Sequence, residues 1–172
     1  MFDRLIDWIL GILHQINPFV LINEYEWAVL LREGKVKKTL KTGLHLLPLK
    51  SINLDSIHAC SKQPDTYRLS GINITTIDNK TVNVGIAVEY EIVDPIKWLI
   101  KNTTAEGNFH DIAWGTCGEH LTTLEWENIK QKSTRTAIKN KIAKAVDHLG
   151  VNIIDVSFGD IVLHKVLTIF KE

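Results

Sequence analysis

Residues 75–95 read TTIDNKTVNVGIAVEYEIVDP, and the period of this stretch decides the fold. Val82, Val84, Ile86, Val88, Tyr90 and Ile92 take every second position, with Thr81, Asn83, Gly85, Ala87, Glu89 and Glu91 between them. Such alternation belongs to a strand with one packed face and one face left to solvent or to a partner. Asp78-Asn79-Lys80 turns the chain back after Ile72 to Ile77, so the spacing predicts a hairpin. Asp94-Pro95 then opens a helix, because the carboxylate can accept from free backbone N–H groups and proline gives up a donor that has no partner there. The string carries no assembled acid, base or nucleophile, so it is scaffold.

Upstream, Trp27 to Arg32 and Lys35 to Leu40 flank Glu33-Gly34, the spacing of a two-residue hairpin turn. Thr42-Gly43-Leu44-His45-Leu46-Leu47-Pro48 reads as a turn into a short apolar strand, and Ile52, Leu54 and Ile57 extend the β region to about Ala59. Lys62 to Asp65 is a loop. Downstream, Ile96, Trp98, Leu99 and Ile100 begin a helix that Gly107 weakens, and Phe109, Ile112, Ala113, Thr116, Cys117, His120 and Leu121 restore a helical stripe. Two helices or one kinked helix fit this pattern. Thr122-x-x-Glu125 has the form of a capping box for a further helix with Ile129, Ile138, Ile142, Val146 and Leu149 inward, ending at Gly150. Val151 to Phe158 and Ile161 to Leu163 read as a closing strand broken at Gly159-Asp160. The expected class is α+β, antiparallel strands with packed helices.

The 172 residues are 45% hydrophobic and 23% charged, globular values that argue against disorder. Lys+Arg 20 against Asp+Glu 20 leaves no net field to draw nucleic acid, which is not expected as a partner. The two cysteines, Cys60 and Cys117, are too few for a disulfide framework.

Residues 1–22 differ from the rest. Phe2, Leu5, Ile6, Ile9, Leu13 and Ile16 follow helical steps, with Trp8, Leu10 and Ile12 widening the stripe into an amphipathic helix. His14, Gln15 and Asn17 interrupt its apolar run, which falls short of the ~20 residues a spanning helix needs, and Pro18 marks its end. A signal peptide is a poor match, since Asp3 and Asp7 sit among the leading residues. The segment is expected to anchor the chain at a bilayer interface. Arg32, Lys35, Lys37, Lys38 and Lys41 come soon after, a cluster that touches anionic headgroups and keeps the main domain on the cytoplasmic side.

Catalytic readings find little support. His58-x-Cys60 and Cys117-x-x-His120 together supply a zinc-like donor set, but the second pair sits in an apolar helical stripe where cysteine packs as a small core residue. Neither Cys117 nor Ser157 has a base and an orienting partner in its pattern. Phosphate-binding glycine loops, HExxH and CxxC are absent. The Asn-x-Thr sequons at Asn73, Asn79 and Asn102 matter only in a secreted protein.

In order along the chain, residues 23–34 (NEYEWAVLLREG), Thr42-Gly43-Leu44-His45 with Pro48, Thr76-Ile77-Asp78-Asn79-Lys80 with Val82 and Val84, Val88-Glu89-Tyr90-Glu91-Ile92 with Asp94-Pro95, and Gly150-Val151 with Val156 and Asp160-Ile161 resemble the SPFH superfamily. This is the band 7 or prohibitin-homology domain of stomatins, prohibitins and flotillins, and the resemblance covers about residues 20–165. It implies an α+β domain at 23–166, tethered through its N-terminal helix to membrane lipid, that scaffolds membrane partners such as membrane-bound AAA+ proteases without catalysis or cofactor. It also implies self-association, as a homo-oligomer or with longer SPFH relatives. Members usually continue into a long coiled coil where only residues 167–172 remain here, which leads to the expectation of a minimal member that caps or joins a longer relative's assembly.

Lys130, Lys132, Arg135, Lys139, Lys141 and Lys144 run without an acid between Glu127 and Asp147, a solvated helix face or a contact for an acidic neighbour or a headgroup surface. Lys132, Arg135 and Lys139, with Arg32, Lys35, Lys37 and Lys38, are the expected subunit or headgroup contacts. The exposed side of the central strand, Asn83 to Glu91, is a second candidate subunit surface. The competing expectation is a soluble adaptor whose first helix packs on its own domain.

Overall fold

The computed structural model describes residues 18–164, so the anchor stripe from Phe2 to Ile16 and the tail 167–172 lie outside the described residues. The chain divides into two compact units at Gln63/Pro64. Both are built from antiparallel sheets, the second with helices packed on its sheet, which is the α+β class expected from the sequence.

The first unit holds five strands: β1 Phe19–Ile22, β2 Glu26–Arg32, β3 Lys35–Leu40, β4 Gly43–Leu46 and β5 Asp55–Ser61. β1 and β4 form a two-stranded ribbon, and β2 lies between β3 and β5. Phe19–Ile22 is therefore strand, although the sequence pattern includes it in the 1–22 anchor, because its backbone pairs with β4. Glu33 and Gly34 both take positive φ, 52° and 73°, which is the turn geometry whose twist matches paired strands. As the central strand, β2 buries Ala28, Val29, Leu30 and Leu31 in succession, so its middle is a continuous apolar run rather than an alternation. Ile22, Ala28, Leu30, Leu40 and Leu47 form the small core. One expected boundary moves: Pro48–Ile52 is a helical turn closed by Asn53 at φ 57°, and β5 begins only at Asp55.

In the second unit, β6 Asp65–Thr75, β7 Thr81–Ile92 and β8 Val151–His164 pair in that order, with β7 central. Its alternation is met in space: Val82, Val84, Ile86, Val88 and Tyr90 are buried, and the residues between them are half-buried on the outer face. The strands beside Gly85 each carry extra residues opposite it, Ser70-Gly71 on β6 and Gly159-Asp160 on β8. The expected break in the closing strand is thus a bulge inside one continuous strand, which bends the sheet without ending the pairing.

Asp94 caps the chain where the sequence places it, with Oδ1 accepting from the N–H groups of Ile96 at 3.0 Å and Lys97 at 3.1 Å. Beyond this cap the chain makes one wide helical turn, Lys97–Lys101, and then enters α1, Ala105–Thr122. Ala105, Phe109, Ala113, Cys117 and Leu121 recur every fourth residue on the buried side of α1. α2, Trp126–Ile129, is a single turn, and α3, Lys132–Val146, buries Ile138, Ile142 and Val146 against the sheet core. The capping box expected at Thr122 and Glu125 does not form. Thr122 Oγ1 donates back to the carbonyl of Glu119 at 2.9 Å, and the first N–H of α2, on Trp126, donates instead to Asp78 Oδ1 at 3.2 Å. The helix expected to run to Gly150 is split where Thr134 Oγ1 donates to the carbonyl of Asn128 at 2.7 Å.

Candidate functional site

Among the described residues, four of the exposed large apolar side chains lie together on the β1–β4 ribbon. Phe19 pairs with Leu46 and Leu21 with Leu44, which sets the four side chains on one face. They are 51, 62, 64 and 67% exposed for Phe19, Leu46, Leu21 and Leu44 respectively. The opposite face, with Ile22 buried and Val20 half-buried, packs on the small core. Four large apolar side chains grouped on a ribbon form a patch that soluble surfaces rarely present. In sequence these residues read as an apolar strand and the end of the anchor; their common face becomes visible only through the register.

The basic residues expected to meet a headgroup or a subunit fall into two groups. Lys35, Lys37 and Lys38 are exposed on β3, an edge strand, where lysines also discourage pairing with another sheet. Arg32 is held by Asp55, its Nε donating to Oδ1 at 2.8 Å and its Nη2 to Oδ2 at 3.0 Å. The Arg32 fork holds the Asp55 carboxyl below the usual carboxylate range, and the Asp55 side chain is wholly buried. On α3, Lys132 is exposed. Arg135 lies over the Phe158 ring at 5.5 Å and the Lys139 ammonium donates to the carbonyl of Ile154 at 2.6 Å. Lys141 Nζ donates to His120 Nδ1 at 3.0 Å, joining α3 to α1. Burial first and this ammonium second push the His120 imidazole below its ordinary pKa.

On the outer face of the second sheet, Glu89 stands directly opposite Asp155, while Asn152 Nδ2 donates to Glu91 Oε1 at 2.9 Å. Asn83 Nδ2 donates to Asn73 Oδ1 at 2.7 Å. The cysteines are free thiols, Cys60 in the first unit and Cys117 inside the core of the second. Burial pushes them up to about 11 and about 12, which suits packing rather than nucleophilic attack. Among the described residues no group of three or more His, Cys, Asp and Glu is placed to hold a metal. Ser157 is exposed on the outer sheet face opposite Ala87.

The described residues thus form antiparallel sheets, with helices packed on the sheet of the second unit. The SPFH domain / Band 7 family model matches residues 20–169, and the chain belongs to that family. It is similar to Protein HflK of Vibrio cholerae serotype O1, 27% identical over 153 residues, which cover 81% of this chain and 36% of that one. It is likewise similar to Protein HflK of Haemophilus influenzae, 28% identical over 157 residues, covering 86% and 37%. The chain thus spans a little over a third of the length of these curated relatives.

Proposed function

We propose that the chain is a membrane-associated, non-catalytic scaffold module that self-associates or joins longer SPFH relatives and holds a membrane partner, such as a membrane-bound AAA+ protease. The observation that carries the membrane part is the ribbon face of Phe19, Leu21, Leu44 and Leu46, directly after the apolar stretch of residues 1–16. Among the described residues no helix is long and apolar enough to cross a membrane. The contact proposed is shallow and lateral, the mode that suits an exposed apolar face beside exposed lysines. Exposed Lys35, Lys37 and Lys38 supply headgroup attraction and favour the cytoplasmic side. Arg32, Arg135 and Lys139 already have partners within the fold, which leaves Lys132 as the better candidate on α3 for a neighbouring subunit.

Flotation of the full chain with vesicles tests this. Wild type is expected to float, and Leu21→Ser with Leu44→Ser to stay at the bottom while remaining folded by circular dichroism. If wild type stays soluble at low and high salt, the soluble adaptor replaces the scaffold. Affinity capture from membranes then identifies the partner.

A further inference from the structure

The second unit contains a cavity of about 560 Å³ that the scaffold role does not use. Its walls include Tyr67, Trp98, Leu99, Asn102 and Glu106, and among the described residues no lysine or arginine lines it. The Tyr90 ring lies tilted against Phe109, with centroids 4.5 Å apart, and against Trp98 at 5.9 Å, and Tyr67 meets Phe109 edge-on at 6.0 Å. Trp98 and Leu99 come from the wide turn Lys97–Lys101, which Asn102 Nδ2 closes by donating to the carbonyl of Lys97 at 2.8 Å. Turns of this width are uncommon and often accompany functional sites.

Glu106 is the one charged side chain lining the cavity among the described residues, and Lys97 and Lys101 bound the turn that supplies Trp98 and Leu99. Glu106 has no ion-pair partner among the described residues. Asp65 sits opposite Tyr90 in the β6–β7 register. Burial, then Asp65, Glu106 and Tyr67, push the Tyr90 hydroxyl up to about 12, so both carboxylates act on the same group of rings. The first turn of α1 contributes partial positive charge from its free N–H groups, which Glu106 in that turn offsets. Aromatic faces attract cations, and a cavity this size takes an aliphatic stem along Leu99 and Trp98 as well as a charged head at Glu106.

We infer that this cavity receives a lysine or arginine side chain presented by a partner protein, with its stem against Leu99 and Trp98 and its cationic head at Glu106. The inference deepens the partner-holding reading above, but its test needs no membrane, so the two can fail separately.

The full chain, labelled with ¹⁵N, is titrated with N-acetyl-lysine methylamide and N-acetyl-arginine methylamide. Both are expected to shift the Trp98 indole and Gly107 amide signals, with the neutral norleucine analogue about tenfold weaker. Glu106→Gln, at an exposed position, is expected to weaken the two cations by about tenfold and leave norleucine unchanged. Absence of shifts, or norleucine binding equal to lysine, overturns the inference. So does tetramethylammonium binding more tightly than lysine, which would make the cavity a lipid-headgroup pocket.

Discussion

The carbonyl of Gly150 accepts the backbone N–H of Asp94 at 2.9 Å, joining two residues 56 positions apart that each looked like a local punctuation mark. Gly150 holds φ at 76°, and a Cβ there would stand 2.7 Å from the Asp94 carbonyl oxygen. The junction fixes the start of β8 against the end of β7, with the cap of the next turn in the same place.

Gly150→Ala is therefore expected to destabilise by about 3 kcal/mol or more, the strain of a left-handed residue plus a backbone overlap. Gly34 has nearly the same φ, 73°, but open space around it. Gly34→Ala is expected to lose only about 1 kcal/mol, the conformational part alone. Equal losses in urea denaturation would show that overlap at Asp94 contributes nothing.

Phe109 is fully buried among Tyr67, Tyr90 and the α1 core. Phe109→Ala is expected to destabilise by about 3–5 kcal/mol. Lys132→Ala, on the exposed side of α3, is expected to change stability by less than about 0.5 kcal/mol. Thermal unfolding of the two variants beside wild type checks both.

Asp78 and Asp55 carry depressed carboxyl pKa values. The causes are Thr76 and then Lys80 around Asp78, and the Arg32 fork at Asp55. Each group stabilises the fold above the unfolded carboxylate value of about 4, and this contribution is lost as pH falls below it. Asp78→Asn should lower the melting temperature at pH 7 and make it fall less between pH 5 and pH 2 than in wild type. A wild-type acid slope in the variant would remove Asp78 from the explanation.

His120 titrates higher. Its pKa is lowered in the folded state, so its contribution is whole above the unfolded value of about 6.5 and declines as pH drops through the folded one. His120→Gln is expected to flatten the stability profile below pH 6.5, which urea denaturation at pH 8 and pH 5 beside wild type checks. NMR titration of the imidazole reads the same shift directly.

The proposed sidedness is open to labelling. Lys37→Cys places a thiol on the exposed edge strand, far more reactive than native Cys60 and Cys117 with their raised pKa values. In intact cells a membrane-impermeant maleimide is expected to miss it until the membrane is opened. Labelling in intact cells would put the domain on the opposite side.

Much of the fold was legible because its signals are local. The alternation of β7, the Glu33-Gly34 turn, the Asp94 cap and the buried stripes of α1 and α3 each depend on residues within a few positions of one another. Misread features depend on distant partners. Thr122-x-x-Glu125 looked like a capping box, yet the N–H of Trp126 finds Asp78, 48 residues earlier. Gly159-Asp160 looked like a break in the closing strand, but β7 is long enough to keep pairing past the bulge.

By itself the sequence determined the α+β class, the order of elements and the family pattern, because period, turn chemistry and capping act over short range. Tertiary structure alone decided which of those residues remain available. Leu21 and Leu30 are equally apolar in the sequence, but Leu30 lies between two neighbouring strands and Leu21 faces outward from a ribbon. Arg32 and Lys37 are both cations of one cluster, but only Arg32 stands opposite a buried carboxylate. Exposure and pairing are properties of what covers a residue, and that cover comes from segments far away in the chain.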